Sequence, residues 1–365
     1  MHDATRSFVP PFCPRSTCRY HRCINGWRFS RHGHFVRRCE PRVIPRFRCD
    51  HCGVTFSTQT FSTSYYLKRP ELLEPLFYRL LACSGYRQIA REMRCNPTTV
   101  MGQAARLGRH ALLYLTRYRP SGAIAEPLVI DGFEGFAYSQ YQPLHLNNAV
   151  GGESHFSYGF TLAPLRRKGR MTPAQKRFRA ALEERHGRPD PRAIELEVAE
   201  LLRIAVPTPQ ELTVRSDEHP AYPRAFKRLP ELSIHHEPTP SVAARTSMNP
   251  LFPVNLLDLL LRHNSANHKR ETIAFSKRHQ SVIERAALLL VWRNFTKPFS
   301  ENHDGGTPAM RVGLCETPLS PREILKQRLF ATQIELPARW QEYYRREIDT
   351  MGIKRPRRHA LLRAF

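Results

Sequence analysis

Two strand-like runs in this sequence close on a carboxylate. Leu128-Val-Ile-Asp131 runs into Gly132, and Glu211-Leu-Thr-Val-Arg-Ser-Asp217 leads into Glu218-His-Pro-Ala-Tyr222. An acid at the end of a buried strand is costly unless something positive faces it. An Asp that only closes a turn is the plain reading of either run alone. If the two strands lie side by side, Asp131 and Asp217 can share a divalent ion, and hard oxygen ligands select Mg2+ or Mn2+. Two such ions, about 4 Å apart, would activate an attacking water or hydroxyl and stabilise a leaving oxygen. A third acid, Asp258, is embedded in the leucine-rich helix expected over Asn249 to His263. Unpaired, it would cost several kcal/mol, so either Arg262 neutralises it or it faces a metal. Asn255, Asp258 and Arg262 share one helix face.

Cysteine supplies the second chemistry. Six of the nine cysteines fall within the first 52 residues, and clustering of this kind points to a metal site rather than a disulfide framework. Cys13-x4-Cys18 and Cys49-x2-Cys52 suit two knuckles of a tetrahedral zinc site, with Gly53 allowing the chain to turn tightly around the ion. Cys23, Cys39 and His21 are alternative ligands. Between the pairs, Trp27, Phe29 and Phe35 alternate with Arg28, Arg31, Arg37 and Arg38. That is the surface a DNA-contacting zinc ribbon would present. Isolated Cys83, Cys95 and Cys315 read as ordinary packing or surface residues.

The elements that must position these groups follow from periodicity. Leu72, Leu73, Leu76, Leu80 and Leu81 recur at helical spacing. Tyr86 to Val100 then reads as a short helix, a cap at Asn96-Pro97 and the start of a second helix. The pattern predicts a helix-turn-helix whose second helix offers Thr98, Thr99 and Gln103, with Arg106 further along, to a DNA groove. Strands are expected over 144–150 and 156–162, with helices inserted over about 165–206 after the cation block Arg166-Arg-Lys-Gly-Arg170. A further strand is expected over 232–235. Lys269, Arg270 and Lys277 lie in a dense cationic stretch suited to phosphates. The fold class expected is α/β, in an α+β multidomain arrangement. Its units are residues 1–62 (zinc ribbon), 66–118 (helix-turn-helix), 124–298 (mixed-sheet catalytic domain) and 299–365 (basic tail with helices). In that tail Trp340, Tyr343, Tyr344 and Arg355 to Arg358 suit DNA contact or dimerisation.

Over 365 residues, 57 Lys+Arg against 32 Asp+Glu give a net charge of +25, with 41% hydrophobic residues. A globular chain with so large a cation excess meets a polyanion, and nucleic acid is the obvious one. No apolar run approaches about 20 residues, and no h-region stands out at the N-terminus. A membrane role is therefore not expected, and the expected place is the cytoplasm, on DNA. The absence of a Gly-rich phosphate loop gives no indication of ATP use.

The order of parts resembles a bacterial insertion-sequence transposase of the DDE type, in the branch typified by insertion sequence one. The resemblance rests on Val129-Ile-Asp131, Arg215-Ser-Asp-Glu-His-Pro-Ala-Tyr222, and Arg262 to Lys277 with Arg270-Glu-Thr-Ile-Ala-Phe-Ser-Lys277, and covers residues 13 to about 297. It implies a zinc ribbon, a helix-turn-helix and an RNase H-like core. It also implies two Mg2+ or Mn2+ ions held by Asp131, Asp217 and Asp258, structural Zn2+ on Cys13, Cys18, Cys49 and Cys52, and double-stranded DNA (element ends and target) as partner. A homodimer or higher assembly on DNA in the bacterial nucleoid follows by analogy. The implied reaction is cleavage at the element end and attack of the freed 3′-hydroxyl on target DNA. The family's third acid, a Glu, would fall on Asn255, which cannot serve as an anionic ligand. Asp258, one turn later, is the substitute, with Glu271 and Glu284 more distant ones. The alternatives are an inactive transposase-derived DNA-binding protein and a related RNase H-like nuclease.

Overall fold

The computed structural model describes residues 8–269, 272–302 and 305–353. Near the N-terminus a three-stranded antiparallel sheet runs in the order β1 (Phe29–Val36), β2 (Val43–Cys49), β3 (Thr55–Ser57). Its small core is aromatic: Phe12, Phe47, Phe56 and Phe61 are buried, and Trp27 and Phe29 pack against them. Strand β1 lies at the edge, and its residues from Ser30 to Val36 are exposed.

Three helices follow: α1 (Leu73–Leu81), α2 (Tyr86–Glu92) and α3 (Pro97–Arg117). The start of α3 is set by Asn96, whose side chain accepts from the Thr98 N–H, with Pro97 in the first turn. This satisfies an otherwise orphaned amide, and proline loses nothing there.

The central sheet has five strands: β4 (Leu128–Phe136), β5 (Pro143–Gly151), β6 (Ser157–Pro164), β7 (Glu211–Asp217) and β8 (Ser233–Thr239). Their order is β6-β5-β4-β7-β8. The first three form an antiparallel meander, whereas β7 runs parallel to β4 and β8 parallel to β7. Parallel neighbours need crossovers. These are α4 (Pro173–His186) and α5 (Ala193–Ala205) before β7, and α6 (Ala221–Phe226) before β8. After the sheet come α7 (Phe252–Asn264), α8 (His279–Phe295), and the short α9 (Pro308–Arg311), α10 (Pro321–Ile324) and α11 (Ala338–Arg345).

Alternation along β4 assigns its two faces. Leu128 and Ile130 pack with α5, α6 and β7, while Val129 and Phe133 join the larger core with α7 and α8. That larger core also contains Leu76, Leu80, Leu107 and Leu112 of α1 and α3. At the α3–α8 contact, a Cβ on Gly108 would lie 2.5 Å from Glu284 Cβ, so glycine is what lets the two helices approach.

Two expectations are corrected here. The first strand does not end at Asp131: the chain stays paired to β5 through Phe136. Gly132 marks a close approach rather than a turn, since a Cβ there would sit 1.5 Å from His145 Cε1. The aromatic residues near the C-terminus are not a DNA-contacting or dimerising surface. Trp340, Tyr343 and Tyr344 are buried; the Trp340 indole donates to the Phe160 carbonyl, and the Leu162 N–H donates to the Tyr343 hydroxyl. These residues finish the core beside β6. Arg355 to Arg358 lie outside the described residues. Among the described residues no helix is long and apolar enough to cross a membrane.

Candidate active site

Strands β4 and β7 are in register only at Leu128–Val214 and Val129–Arg215. Two residues further on, where β7 ceases to pair with β4, come Asp131 and Asp217. Both belong to the alternation that faces away from the Leu128, Ile130 and Val214 side. The Asp131 carboxylate accepts the Gly132 N–H at 2.7 Å, and the buried Tyr222 brings its hydroxyl to 3.5 Å from it. Burial pushes the Asp131 carboxyl up to about 6, and the like charge of Asp217 adds to this. The Gly132 amide, Arg245 and Tyr222 oppose the rise.

Asp258 reaches the same place from α7, which packs against β4 and β5. Asn148 stands opposite Asp131 in the β4–β5 ladder, and its side-chain amide donates to Asp258 Oδ1 at 3.2 Å. Burial holds the Asp258 carboxyl well above the usual carboxylate range, and the Asp131 charge raises it further. Arg262 and Asn148 pull the other way. The Arg262 guanidinium lies over the Phe133 ring, 4.3 Å from its centroid. The charges of Asp131, Asp217 and Asp258 all act on the Tyr222 hydroxyl, although among the described residues the three carboxylates are not gathered as closely as the sulfurs of the N-terminal cysteines. Asn148 Oδ1 is buried there without a hydrogen-bond partner. Asp131, Asp258 and the orphaned Asn148 oxygen are hard donors of the kind that could hold a divalent cation.

Glu284, one of the substitutes considered for the third acid, is a core residue instead. It is buried on α8, pairs with Arg346 at 3.0 Å and accepts from Gln280. Burial raises its carboxyl while Arg346 and Arg109 oppose the rise, and these core partners leave it no ligand role. Glu271 lies outside the described residues.

Cys13, Cys18, Cys49 and Cys52 bring their sulfurs within 4.8 Å of one another, with three of the four residues buried. Among the described residues they are the one set of three or more His, Cys, Asp or Glu so closely gathered, and the cluster could hold a zinc ion. The knuckle geometry follows from Gly53, at φ +69°, whose N–H returns to the Cys49 carbonyl at 2.9 Å. Burial raises the Cys49 thiol. The Cys52 amide, the Trp27 indole and the His51 amide outweigh it and bring the group to about 7. Hydrogen bonds that favour a thiolate are what a zinc ligand receives from its surroundings. The alternative ligands are excluded by position. His21 is spent between the Cys13 carbonyl and Thr332, Cys39 reaches toward the Leu67 carbonyl, and Cys23 is exposed.

The residues expected to touch DNA divide. Thr98 is exposed and Thr99 half-buried at the start of α3. Gln103 is buried and therefore withdrawn from any groove. Arg106 donates to the carbonyls of Thr63 and Tyr65, so it ties α3 to the segment before α1 rather than reaching outward. Lys269 and Lys277 are exposed; Arg270 lies outside the described residues. Trp27 and Phe29 belong to the ribbon core, which leaves Phe35 as the exposed aromatic of that strand.

Tyr222 and Asn148 gained no role from sequence alone. The signal was present for Asn148: Asn147-Asn148 interrupts the apolar residues of its strand, and amides in such a place need partners.

No family model matches this chain, and no curated protein matches it. Among solved structures, a similar one is a cryo-electron-microscopy structure of a simian T-cell lymphotropic virus intasome in complex with PP2A regulatory subunit B56 gamma. The match is 13% identical over 64% of this chain and 70% of that chain, with a TM-score of 0.24. A likeness so slight carries no argument about fold or activity.

Proposed function

We propose that this protein is a DNA transposase of the DDE type that binds element ends and carries out metal-dependent strand cleavage and transfer. What supports the reading is that Asp131 lies on β4 and Asp217 at the end of its parallel neighbour β7, while Asp258 comes from α7, the helix that packs against β4 and β5. A meander extended beyond its first strand by two strands parallel to it, β7 and β8, is the arrangement expected of an RNase H-like core. A four-cysteine ribbon before the helices and a net charge of +25 support DNA as the substrate.

In this reading Asp131, Asp217 and Asp258 hold the metal. Bound there, a pair of Mg2+ or Mn2+ ions supplies activation of the attacking hydroxyl and stabilisation of the leaving oxygen. Asn148 fixes the Asp258 carboxylate, Tyr222 braces Asp131, and Lys269 and Lys277 meet phosphates flanking the scissile bond. The ribbon (1–62) and helix-turn-helix (66–118) select the DNA for the catalytic unit (124–298), and two copies hold two ends.

The test is Mn2+-dependent cleavage of duplexes carrying the genomic sequence that flanks this gene, with Asp131→Asn, Asp217→Asn and Asp258→Asn beside wild type. Loss of cutting in all three, with duplex binding retained, is the expected result. Full activity in Asp258→Asn sinks the third-acid assignment. Asn255, at the position where the family resemblance calls for Glu, favours a second reading: a DNA-binding protein that keeps the fold without the chemistry. Wild-type protein that binds these ends and never cuts them would establish it.

A further inference from the structure

Helix α4 contributes nothing to either large core: none of its residues is buried. It begins with a capping box at Thr172 and Gln175. Arg166 holds it to the body through Glu183, and Arg179 through the Arg167 carbonyl. Gln175, Arg179, Leu182 and Glu183 make its one half-buried face, so this fourteen-residue helix rests on the body through polar contacts and leaves its remaining surface to solvent.

Between it and the sheet lies a cavity of 750 Å³. Arg166, Arg167, Lys168, Arg188, Arg192 and Arg224 line it, as do His219 and Pro220, two and three residues past Asp217. The acids in its wall are largely accounted for: Asp190 pairs with Arg192, and Glu195 with Arg224 and Arg228. Arg167, Lys168 and Arg188 form no ion pair among the described residues, so the cavity keeps a cationic excess. Arg167 Nη1 is buried without a hydrogen-bond partner. Two aromatic rings adjoin Arg167 of its wall. Phe178 of α4 is 54% exposed and touches Tyr141, and Arg167 stacks over Tyr141 at 4.7 Å. A second cavity of 420 Å³, edged by Arg262 and Lys269, shares Glu134, Gly135 and Leu144 with the first. Residues 134, 135 and 144 thus border both this second cavity and the trough beside α4.

Cations that track a backbone, with exposed rings for bases, are the means by which single strands are held without sequence preference. We infer that the trough between α4 and the central sheet is a single-strand nucleic-acid channel leading to the Asp217 end of the site. Arg167, Lys168 and Arg188 hold its phosphates, and Phe178 stacks a base. The inference deepens the proposed function and rests on it for the identity of the strand, the one freed beside the cut.

The experiment is fluorescence anisotropy on the full-length protein with EDTA present, using labelled oligothymidylate of about 15 nucleotides and a duplex of equal length. Arg167→Ala/Lys168→Ala/Arg188→Ala is expected to weaken single-strand binding at least about tenfold and to flatten its salt dependence by about two in log–log slope. Phe178→Ala is expected to weaken it about tenfold with no change in slope. Duplex binding stays at the wild-type value, and Arg167→Lys/Arg188→Lys keeps single-strand binding, which separates charge loss from misfolding. Equal losses on both probes would reduce the trough to a general basic surface and overturn the channel; so would an unchanged single-strand affinity. Because no divalent ion is present, the result does not depend on whether the acids cut DNA. An inactive acid site with an intact channel would overturn only the transposase reading.

Discussion

Asn148 donates its side-chain amide to Asp258 Oδ1 across 3.2 Å while standing opposite Asp131 in the β4–β5 ladder. One residue thus links the helix acid to the strand acid. Asn148→Ala removes the donor that steadies Asp258 and leaves the carboxylate buried beside a like charge. Cutting in the Mn2+ assay is expected to fall about tenfold to a hundredfold, in the range seen when an outer partner of a metal ligand is removed. Duplex binding should not move. Unchanged cutting by Asn148→Ala would mean that Asp258 needs no positioning.

The Asp131 carboxyl, pushed up to about 6 from 3.8 by burial, makes stability depend on pH in a defined direction. Below the unfolded value both states are protonated and no penalty exists. As pH rises toward the folded value the unfolded chain ionises first, so stability is lost, and above about 6 the loss is complete. Asp131→Asn removes the penalty and is expected to stabilise the metal-free protein above about pH 6 by up to about 3 kcal/mol, with no gain near about pH 3. Chemical denaturation at both pH values in EDTA measures it. Adding Mn2+ should raise the melting temperature of wild type and leave Asp131→Asn unmoved.

What was legible in the sequence was whatever a residue declares through its near neighbours. Asp131 directly follows Val129-Ile130, Asp217 closes a strand-like run that holds Thr213-Val214, and Cys49-x2-Cys52-Gly53 states its own turn. Partners from distant parts of the chain were not legible. Gln103 sits near the start of α3 where a groove-reading side chain belongs, yet it is buried. Arg106 is tied to carbonyls about forty residues earlier. Trp340 and Tyr343 look like a surface patch because the strand they cover lies some 180 residues back. Glu284 resembles a spare ligand until Arg346 is seen beside it. A charge pattern names the chemistry a side chain can do, and only packing decides which face it is done on.

The four-cysteine cluster is expected to carry a stoichiometric zinc that Cys49→Ser loses. Because the Trp27 indole donates to Cys49 Sγ at 3.3 Å, its fluorescence should change when a chelator strips the ion. Metal binding in such ribbons is part of their folding free energy, so protease should then cut first within residues 22–42. The central sheet should keep its melting transition. Elemental analysis that finds no zinc in protein purified without chelator would refute the site.

Gly108 tests how the α3 helix is joined to the sheet. A methyl there would meet Glu284 at Cβ, Cα and the carbonyl oxygen, at 2.5, 2.6 and 2.7 Å. Two of the three atoms are backbone, so the helices cannot yield by turning a side chain. Gly108→Ala gains helix propensity, by about 1 kcal/mol in a helix interior. Forcing α3 off α8 costs more, because it also opens the buried pairing of Glu284 with Arg346 and the neighbouring Arg109, and uncompensated buried charge is worth about 3–5 kcal/mol. A net destabilisation of about 1–3 kcal/mol is expected, read by urea denaturation. Gly102→Ala, on the same helix with nothing within 4 Å of its Cβ position, should instead stabilise. If both substitutions stabilise, the close approach of α3 to α8 is not what joins the two.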